Sequence, residues 1–159
     1  MNITKSSEKI VGGVSSLRYV LVSEVKSFPT IMKYRAVNFE EVVLKNNVEW
    51  KTIYFTPETC FAGSESKNDD AGTFYTNTIT FQHPGENEDT SLALETLKET
   101  PMIAIVKNLN GVEKLFGTPD NPMRLYYDQN TDDAVMKSTG YKITISGAGI
   151  YPAFLLKES

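Results

Sequence analysis

The chain has 159 residues, 40% of them hydrophobic, which is enough to build the core of one domain spanning residues 1–159. Its 16 basic residues against 20 acidic ones give a formal net charge of -4, which argues against an electrostatic grip on nucleic acid. No apolar run approaches the length of a membrane span, and the first residues lack the apolar core of a signal peptide, so we expect a soluble, unexported protein.

The first part of the chain predicts strands separated by polar turns. Residues 1–8 form a polar leader that we expect to be flexible. The β-branched and aromatic segment 17–22 follows Gly12 and Gly13 and predicts the first strand. Residues 31–43 alternate only loosely and could hold one or two strands, whereas residues 48–56 follow a clear period-2 pattern.

The middle of the chain predicts one long extended hairpin over residues 48–81. Residues 57–72 are polar and contain glycine, so we expect an exposed loop there. In the strand that follows, 73–81, threonines alternate with Tyr75, Ile79 and Phe81. A face lined by threonine hydroxyls suits a wet surface. The residues that we expect at a subunit interface or a lumen are Trp50, Thr52, Tyr54, Thr76, Thr78 and Thr80.

A single strong helix is predicted over residues 89–100. Asp89 or Thr90 is the expected N-cap, the leucines from Leu92 to Leu97 give one apolar side, and Pro101 ends the helix. Apolar or alternating runs bounded by turns predict four further strands, at 102–106, 112–116, 123–128 and 141–146. The expected fold is therefore mainly β: a β-sandwich or partial barrel with one flanking helix and a long hairpin.

Catalytic groups are scarce in this sequence. His83 stands beside Pro84 without a motif that supplies a nucleophile or carboxylate, so a turn or interface histidine is favoured. Cys60 is the only cysteine, which permits no disulfide within the chain and, with one histidine, argues against a nitrogen–sulfur zinc site. We expect a protein that is not an enzyme and needs no cofactor.

One acidic turn imitates the opening of a calcium-binding loop. Asp128, Asn130 and Asp132 stand at alternate positions, as ligands do in such loops. Asp133 occupies the position of the turn-forming glycine, and Thr139 stands where the bidentate glutamate belongs. An exposed acidic turn is therefore favoured over a calcium site.

Four aromatic residues could form a platform for sugar rings: Trp50, Tyr54, Tyr126 and Tyr127. The same residues could equally fill the core of a small sandwich or a subunit interface, and aromatics often serve those roles. Core or interface is the favoured interpretation.

The order of elements from the first strand to the C-terminus resembles tail tube (major tail) proteins of tailed bacteriophages, particularly phages of Bacteroidetes-like hosts. The segments that carry the resemblance are 11–25, 75–81, 102–108, 111–117 and 140–147, with the helix between the second and third.

The resemblance implies hexameric rings that stack into a hollow tube, located in the virion tail and assembled in the host cytoplasm. Its partners would be copies of itself and other virion tail proteins, and DNA would pass through without specific binding. An acidic subunit is compatible with that role, because its net charge repels phosphate. The hairpin at 48–81 would line the lumen, and the loop at 57–72 would reach an adjacent ring.

Three alternatives remain open from the sequence. A head–tail connector, tail terminator or capsid accessory protein is the nearest one. A monomeric carbohydrate-binding β-sandwich, using exposed aromatics and the acidic turn at 128–132, belongs to a different class. An enzyme is the third, and it would need a second chain or a cofactor to supply the missing groups.

Overall fold

The computed structural model describes residues 12–31, 36–130 and 140–157. The leader at 1–8 and Asp132 of the acidic turn lie outside these ranges. The strands are β1 (Val14–Leu21), β2 (Val25–Ser27), β3 (Val37–Asn38), β4 (Val43–Leu44), β5 (Lys51–Ile53), β6 (Phe61–Asp69), β7 (Gly72–Pro84), β8 (Met102–Asn108), β9 (Glu113–Phe116), β10 (Arg124–Asn130), β11 (Gly140–Gly149) and β12 (Phe154–Lys157). One α-helix, α1, spans Glu88–Leu97, and single 3₁₀ turns occupy Val22–Glu24 and Phe39–Glu41.

Two sheets form the body of the molecule. The six-stranded sheet has the order β3-β12-β9-β8-β1-β5, and the four-stranded sheet has the order β10-β11-β7-β6. A small third sheet pairs β2 with β4. The predicted mainly β fold, a β-sandwich or partial barrel with a flanking helix, is confirmed.

Strand β8 is buried on both faces, and this explains its continuous apolar run. Met102, Ala104 and Val106 join the core between the two large sheets. Ile103 and Ile105 join a second core on the opposite face of the six-stranded sheet. The partly buried hydrophobic residues that cover this second core include Val22, Val25, Phe28, Ile31, Phe39, Leu44, Val48 and Trp50. Because both faces of this strand are buried, its residues do not alternate between apolar and polar. Its signature in the sequence is a continuous run of apolar residues.

The helix starts and ends earlier than predicted. Asn87 is the N-cap, with its side-chain oxygen accepting a hydrogen bond from the Thr90 N–H at 2.7 Å. At the other end Lys98 leaves helical geometry and bridges to Leu125, and the Glu99 N–H donates to the Leu125 carbonyl at 3.0 Å. The chain joins β10 here before the restriction imposed by Pro101 takes effect. Asp89 and Thr90 therefore lie inside the first turn and are not caps.

The predicted loop at 57–72 is wrong for most of its length. Residues 61–69 form β6, which pairs antiparallel with β7 from Phe61↔Thr80 to Asp69↔Gly72. The turn between them is closed by the Ala71 N–H donating to Asp69 Oδ1 at 2.7 Å, and Gly72 adopts φ 123°. The stretch is polar because residues 64–74 are exposed, and the exposure was predicted.

The predicted hairpin of 48–56 with 73–81 is also wrong. Residues 51–53 form β5, which pairs with β1 at the edge of the six-stranded sheet. Strand β7 instead pairs with β6 on one side and β11 on the other. A long hairpin exists, but its strands are β6 and β7.

Candidate assembly surface

The four-stranded sheet has one face that turns away from the core, and we call it the outer face. Its half-exposed hydroxyl residues come from the two central strands: Thr76, Thr78, Thr80, Thr144 and Ser146. The alternate residues of the same strands, such as Ile79, Phe81 and Ile145, are buried in the core. The period-2 pattern of β7 thus separates a wet threonine face from an apolar one, as predicted.

The register aligns side chains of the outer face in rows across the sheet. One row runs Phe61, Thr80, Thr144, Tyr126, so an aromatic residue stands at each end of it. Phe61 is 65% exposed and Tyr126 is 43% exposed. The next row begins with Gly63 and ends with Arg124 through their partners on β7 and β11. Both ends of each row lie on an edge strand.

Those edges are long, and much of their length is open. Strand β6 has nine residues, and within the described part of the chain no strand pairs with its outer side. Strand β10 has seven residues; the Lys98–Glu99 segment covers its outer side at Leu125, and no described strand pairs with that side beyond Leu125. Such edges present rows of backbone donors and acceptors that can pair with another chain. The edges of the six-stranded sheet are short by comparison, with two residues in β3 and three in β5.

The tip of the β6–β7 hairpin projects beyond the rest of the sheet. Pairing of β7 with β11 ends at Tyr75↔Gly149, whereas pairing with β6 continues to Asp69↔Gly72. We call residues 67–74 the arm, and all of them are exposed. A side-chain hydrogen bond from Thr73 Oγ1 to Asn68 Oδ1 spans it. A two-stranded ribbon with no core on either side is marginal alone, so the arm is suited to contact a partner.

The base of the hairpin is fixed to the body by a small polar cluster. The Ser64 hydroxyl donates to Asn77 Oδ1 at 2.6 Å and accepts from the Ala153 N–H at 3.0 Å. The Asn77 amide donates to the Tyr151 carbonyl at 3.3 Å. Asn77 is buried on the inner face, so its polar atoms need these partners. The cluster ties β6 and β7 to the segment that carries the chain from β11 to β12.

The six residues predicted at an interface or lumen do not share one surface. Thr76, Thr78 and Thr80 lie together on the outer face. Trp50 instead packs beside Phe39 over the second core, with ring centroids 6.2 Å apart. Thr52 pairs with β1, and Tyr54 is exposed against the ring of His83. Trp50, Thr52 and Tyr54 lie apart from the three threonines because their segment joins the other sheet, and the interface role of the six residues stays a prediction.

Sequence reasoning missed Phe61, Glu65 and Arg124. The first two fell inside the predicted loop, although Phe61, Gly63 and Glu65 alternate with Ala62 and Ser64 at strand period. Arg124 was placed in a predicted strand but not singled out. It lies half-buried on the rim of an open depression of about 430 Å³, beside Tyr126.

The two candidate catalytic residues are His83 and Cys60, and each is contacted or covered by other parts of the fold. His83 Nδ1 lies 3.0 Å from the Tyr54 carbonyl oxygen, and its ring contacts Tyr141 as well as Tyr54. Burial raises the pKa of the Cys60 thiol to about 11, so little thiolate forms at neutral pH. Among residues 12–31, 36–130 and 140–157, no three histidine, cysteine or carboxylate side chains are grouped to hold a metal ion.

The acidic turn and the tyrosines do not form a shared site. Asp128 is exposed near the end of β10, and Asn130 is the last residue of that strand. Tyr126 and Tyr127 are consecutive, so they point to opposite faces of the sheet. The Tyr127 hydroxyl donates to Glu95 Oε2 at 2.5 Å, and this hydrogen bond raises the pKa of Tyr127. With Trp50 over the second core, the four aromatics form no single platform.

No described helix is both long and apolar enough to cross a membrane. Comparison of the chain with protein-family models, with curated proteins and with solved structures gives no match.

Proposed function

We propose that this chain is a non-enzymatic structural subunit that assembles with copies of itself through the two edges of its four-stranded sheet. The observation that carries the proposal is the combination of an open β6 edge and an open second half of the β10 edge with a hairpin arm that projects from the body. A folded domain usually shortens, covers or charges such edges to prevent uncontrolled pairing. The charged residues Glu65, Lys67 and Asp69 limit uncontrolled pairing at β6, and in the proposed assembly a specific neighbouring copy covers the open parts of both edges.

The strand directions suit a repeated head-to-tail contact. The four strands alternate in direction, so β6 and β10 run opposite to each other. A copy placed beside β6 in the same orientation therefore offers the part of its β10 beyond Leu125 as an antiparallel partner. Contacts of this head-to-tail kind close into rings when the rotation between copies is suitable, and closure removes every edge.

The outer face becomes the inner wall of such a ring, since the six-stranded sheet occupies the other side. The wall is then lined by the hydroxyls of Thr76, Thr78, Thr80 and Thr144. It lies on a subunit of net charge -4, and a ring of such subunits repels phosphate rather than holding it. These features support a hydrated channel along which DNA passes without specific binding.

In its specific form, the proposal is a bacteriophage tail tube subunit that stacks as hexameric rings within the virion tail. Other virion tail proteins would be its partners. The arm at 67–74 takes the stacking role that the predicted loop was given, because it reaches past the last strand pair of the sheet. A head–tail connector or tail terminator built on the same ring is the near alternative.

The test is the assembly state of the purified chain across a range of concentrations. Size-exclusion chromatography with light scattering should show rings or larger polymers, and negative-stain electron microscopy should show annular particles with a central channel. The matched variant replaces residues 67–74 with a two-residue Asn-Gly turn. This variant should keep its rings and lose stacking, because it retains the rest of both edges.

Three outcomes would contradict the proposal. One is a monomer at every concentration, which with binding to glycans would favour the carbohydrate-binding class. The second is a tube in which the threonine face lies on the outside. The third is unchanged tube length after removal of the arm, which would contradict the stacking role alone.

A further inference from the structure

The open edge of β6 has a charge pattern that is complementary to itself. Pairing with β7 places alternate residues of β6 on the outer face of the sheet: Phe61, Gly63, Glu65, Lys67 and Asp69. All residues from 65 to 69 are exposed. Within the described ranges neither the Glu65 carboxylate nor the Lys67 ammonium forms an ion pair. A negative and a positive charge therefore lie two residues apart on one face of an edge strand, and both are available to a neighbouring molecule.

An antiparallel copy of the same strand pairs both charges at once. When a two-fold axis passes through Ser66, each residue faces the one that lies equally far beyond Ser66 in the other copy. Glu65 then faces Lys67 of the other copy, and Lys67 faces the Glu65 of that copy. Opposite charges directly across an antiparallel pair stabilise it, and like charges destabilise it. Because of the symmetry, the favourable pair forms twice.

The remaining side chains of this edge are compatible with such a partner. On the inner face Ser66 meets its own copy and Ser64 meets Asn68, so only small polar side chains face each other there. On the outer face Gly63 lies opposite Asp69, whose carboxylate accepts a hydrogen bond from the Ala71 N–H at 2.7 Å. The symmetric pairing therefore brings no two bulky side chains together between residues 63 and 69.

We propose that the free chain forms a symmetric dimer in which the β6 strands of two copies pair antiparallel about Ser66. Residues 63–69 of each copy take part, and the two four-stranded sheets join into one continuous sheet. The β6 side of each arm lies beside residues 63–65 of the other copy, where all four strands of that sheet are paired. Each arm thus gains a third strand, which makes a two-stranded ribbon more stable.

Other symmetric registers are less favourable. A two-fold axis through Glu65 or through Lys67 places like charges opposite each other. An axis through Asn68 pairs Lys67 with Asp69 twice, but only residues 67–69 of β6 then overlap. The axis through Ser66 combines two pairs of opposite charges with a long overlap, so charge and strand length favour the same register.

The dimer goes beyond the proposed ring and competes with it. A head-to-tail neighbour needs the same side of β6, so one strand cannot make both contacts. The dimer covers this edge in the free protein and protects it from unspecific pairing. Its dissociation then has to precede the formation of rings.

Charge reversal tests the two ion pairs. Glu65→Lys and Lys67→Glu should each raise the dissociation constant of the dimer about tenfold or more, because both pairs across the seam become like-charged. An equal mixture of the two variants should recover dimerisation, since one copy then presents two lysines and the other two glutamates. Sedimentation equilibrium, at concentrations below those that give rings, measures the constant.

The control for charge reversal is Glu49→Lys, which makes the same charge change at an exposed loop residue away from β6. It should leave the dissociation constant unchanged. Failure of the mixture to recover dimerisation, with each single variant impaired, would overturn the ion pairs.

Cysteine cross-linking tests the register, in a Cys60→Ser background. Ser66→Cys should give a disulfide-linked dimer on a non-reducing gel, because the two copies of this position face each other across the axis. Asn68→Cys is the matched control. In the proposed register its two copies lie about 13 Å apart along the seam, which is too far for a disulfide. A dimer from Asn68→Cys and none from Ser66→Cys would overturn the register.

The cross-linked protein also separates this inference from the proposed function. The oxidised Ser66→Cys dimer should form no rings, and reduction should restore them. A parent chain that passes from monomer to rings without a dimer would overturn the dimer and leave the proposed function intact. A parent chain that dimerises and gives no rings at any concentration would support the dimer and contradict the proposed function.

Discussion

Strands β8 and β6 are both regular, but their surroundings are opposite. The first five residues of β8 are buried between two cores, whereas the last six residues of β6 are all exposed. Backbone pairing makes each of them a strand, but only β8 gains the free energy of burying apolar side chains. Folding of the domain and the proposed assembly of its copies therefore depend on different strands, so a substitution should affect one without the other.

The largest expected effect comes from a matched pair of phenylalanines on neighbouring strands. Phe81 on β7 is fully buried, and Phe61 on β6 is mostly exposed. Phe81→Ala should lower the free energy of unfolding by about 3–5 kcal/mol, since it opens a cavity. Phe61→Ala should lower it by less than about 0.5 kcal/mol, since it removes a surface side chain. Urea denaturation, at a protein concentration too low for assembly, measures the free energy of unfolding of both variants. Equal decreases for Phe81→Ala and Phe61→Ala would contradict the separation of folding residues from surface residues.

A smaller effect on the free energy of unfolding is expected from the ion pair between Arg18 and Glu113. Arg18 donates to Glu113 at 3.0 Å, and the Glu113 side chain is only 10% exposed. Glu113→Ala should cost about 1–3 kcal/mol, because it removes a bond to a poorly hydrated charge. Glu24→Gln, in the more exposed pair with Lys51, should cost less than about 1 kcal/mol. Denaturation at neutral pH measures the free energy of unfolding of both variants. A larger decrease for Glu24→Gln than for Glu113→Ala would contradict the expectation that the more buried ion pair contributes more.

The turn of the arm should respond locally. Gly72 adopts φ 123°, a backbone conformation that is strained for any residue with a side chain. Gly72→Ala should therefore separate the two strands of the arm. Amide hydrogen exchange of residues 67–74 should accelerate about fivefold or more, while the global free energy of unfolding changes by less than about 0.5 kcal/mol. Gly12→Ala has open space around it and is the control. If the global free energy of unfolding falls as much as the local free energy of opening of residues 67–74, the arm unfolds together with the core.

The smallest effect concerns pH and Cys60. Burial raises the pKa of its thiol from 9.0 to about 11, so the unfolded chain ionises first as pH rises. The stability contributed by keeping the thiol neutral is intact below pH 9 and is lost between pH 9 and 11. The pKa of Tyr19 is also raised by burial, and that of Tyr127 by its bond to Glu95, so both act with the same sign. Stability of Cys60→Ala should therefore fall less steeply than that of the parent over this window, and parallel pH curves would contradict it.

Local patterns in the sequence were sufficient for part of this architecture. The apolar run of β8, the threonine alternation of β7 and the helix before Pro101 each follow from a few neighbouring residues, and the structure contains all three. They were predictable because burial on both faces, burial on one face and a helical stripe each leave a distinct period.

Pairing over long distances could not be predicted in the same way. Residues 64–69 have the composition of a loop, and they form a strand only because β7 offers nine register partners to β6. The choice of β1 as the partner of β5 likewise depends on the whole sheet. The outer face combines both difficulties, since its residues on β6, β7, β11 and β10 are brought together by three strand pairings.

The cluster that joins Ser64, Asn77 and Ala153 also provides a route by which force on the arm is transmitted to the body of the molecule. A pull on the arm along its length would act on the β7–β11 ladder in shear, from Tyr75↔Gly149 onward, so many backbone hydrogen bonds would resist together. The side-chain bonds of Asn77 and Ser64 would pass part of that force to Tyr151 and Ala153, and from there into β12. The hairpin is therefore anchored so that tension on the arm is shared between the β7–β11 ladder and β12.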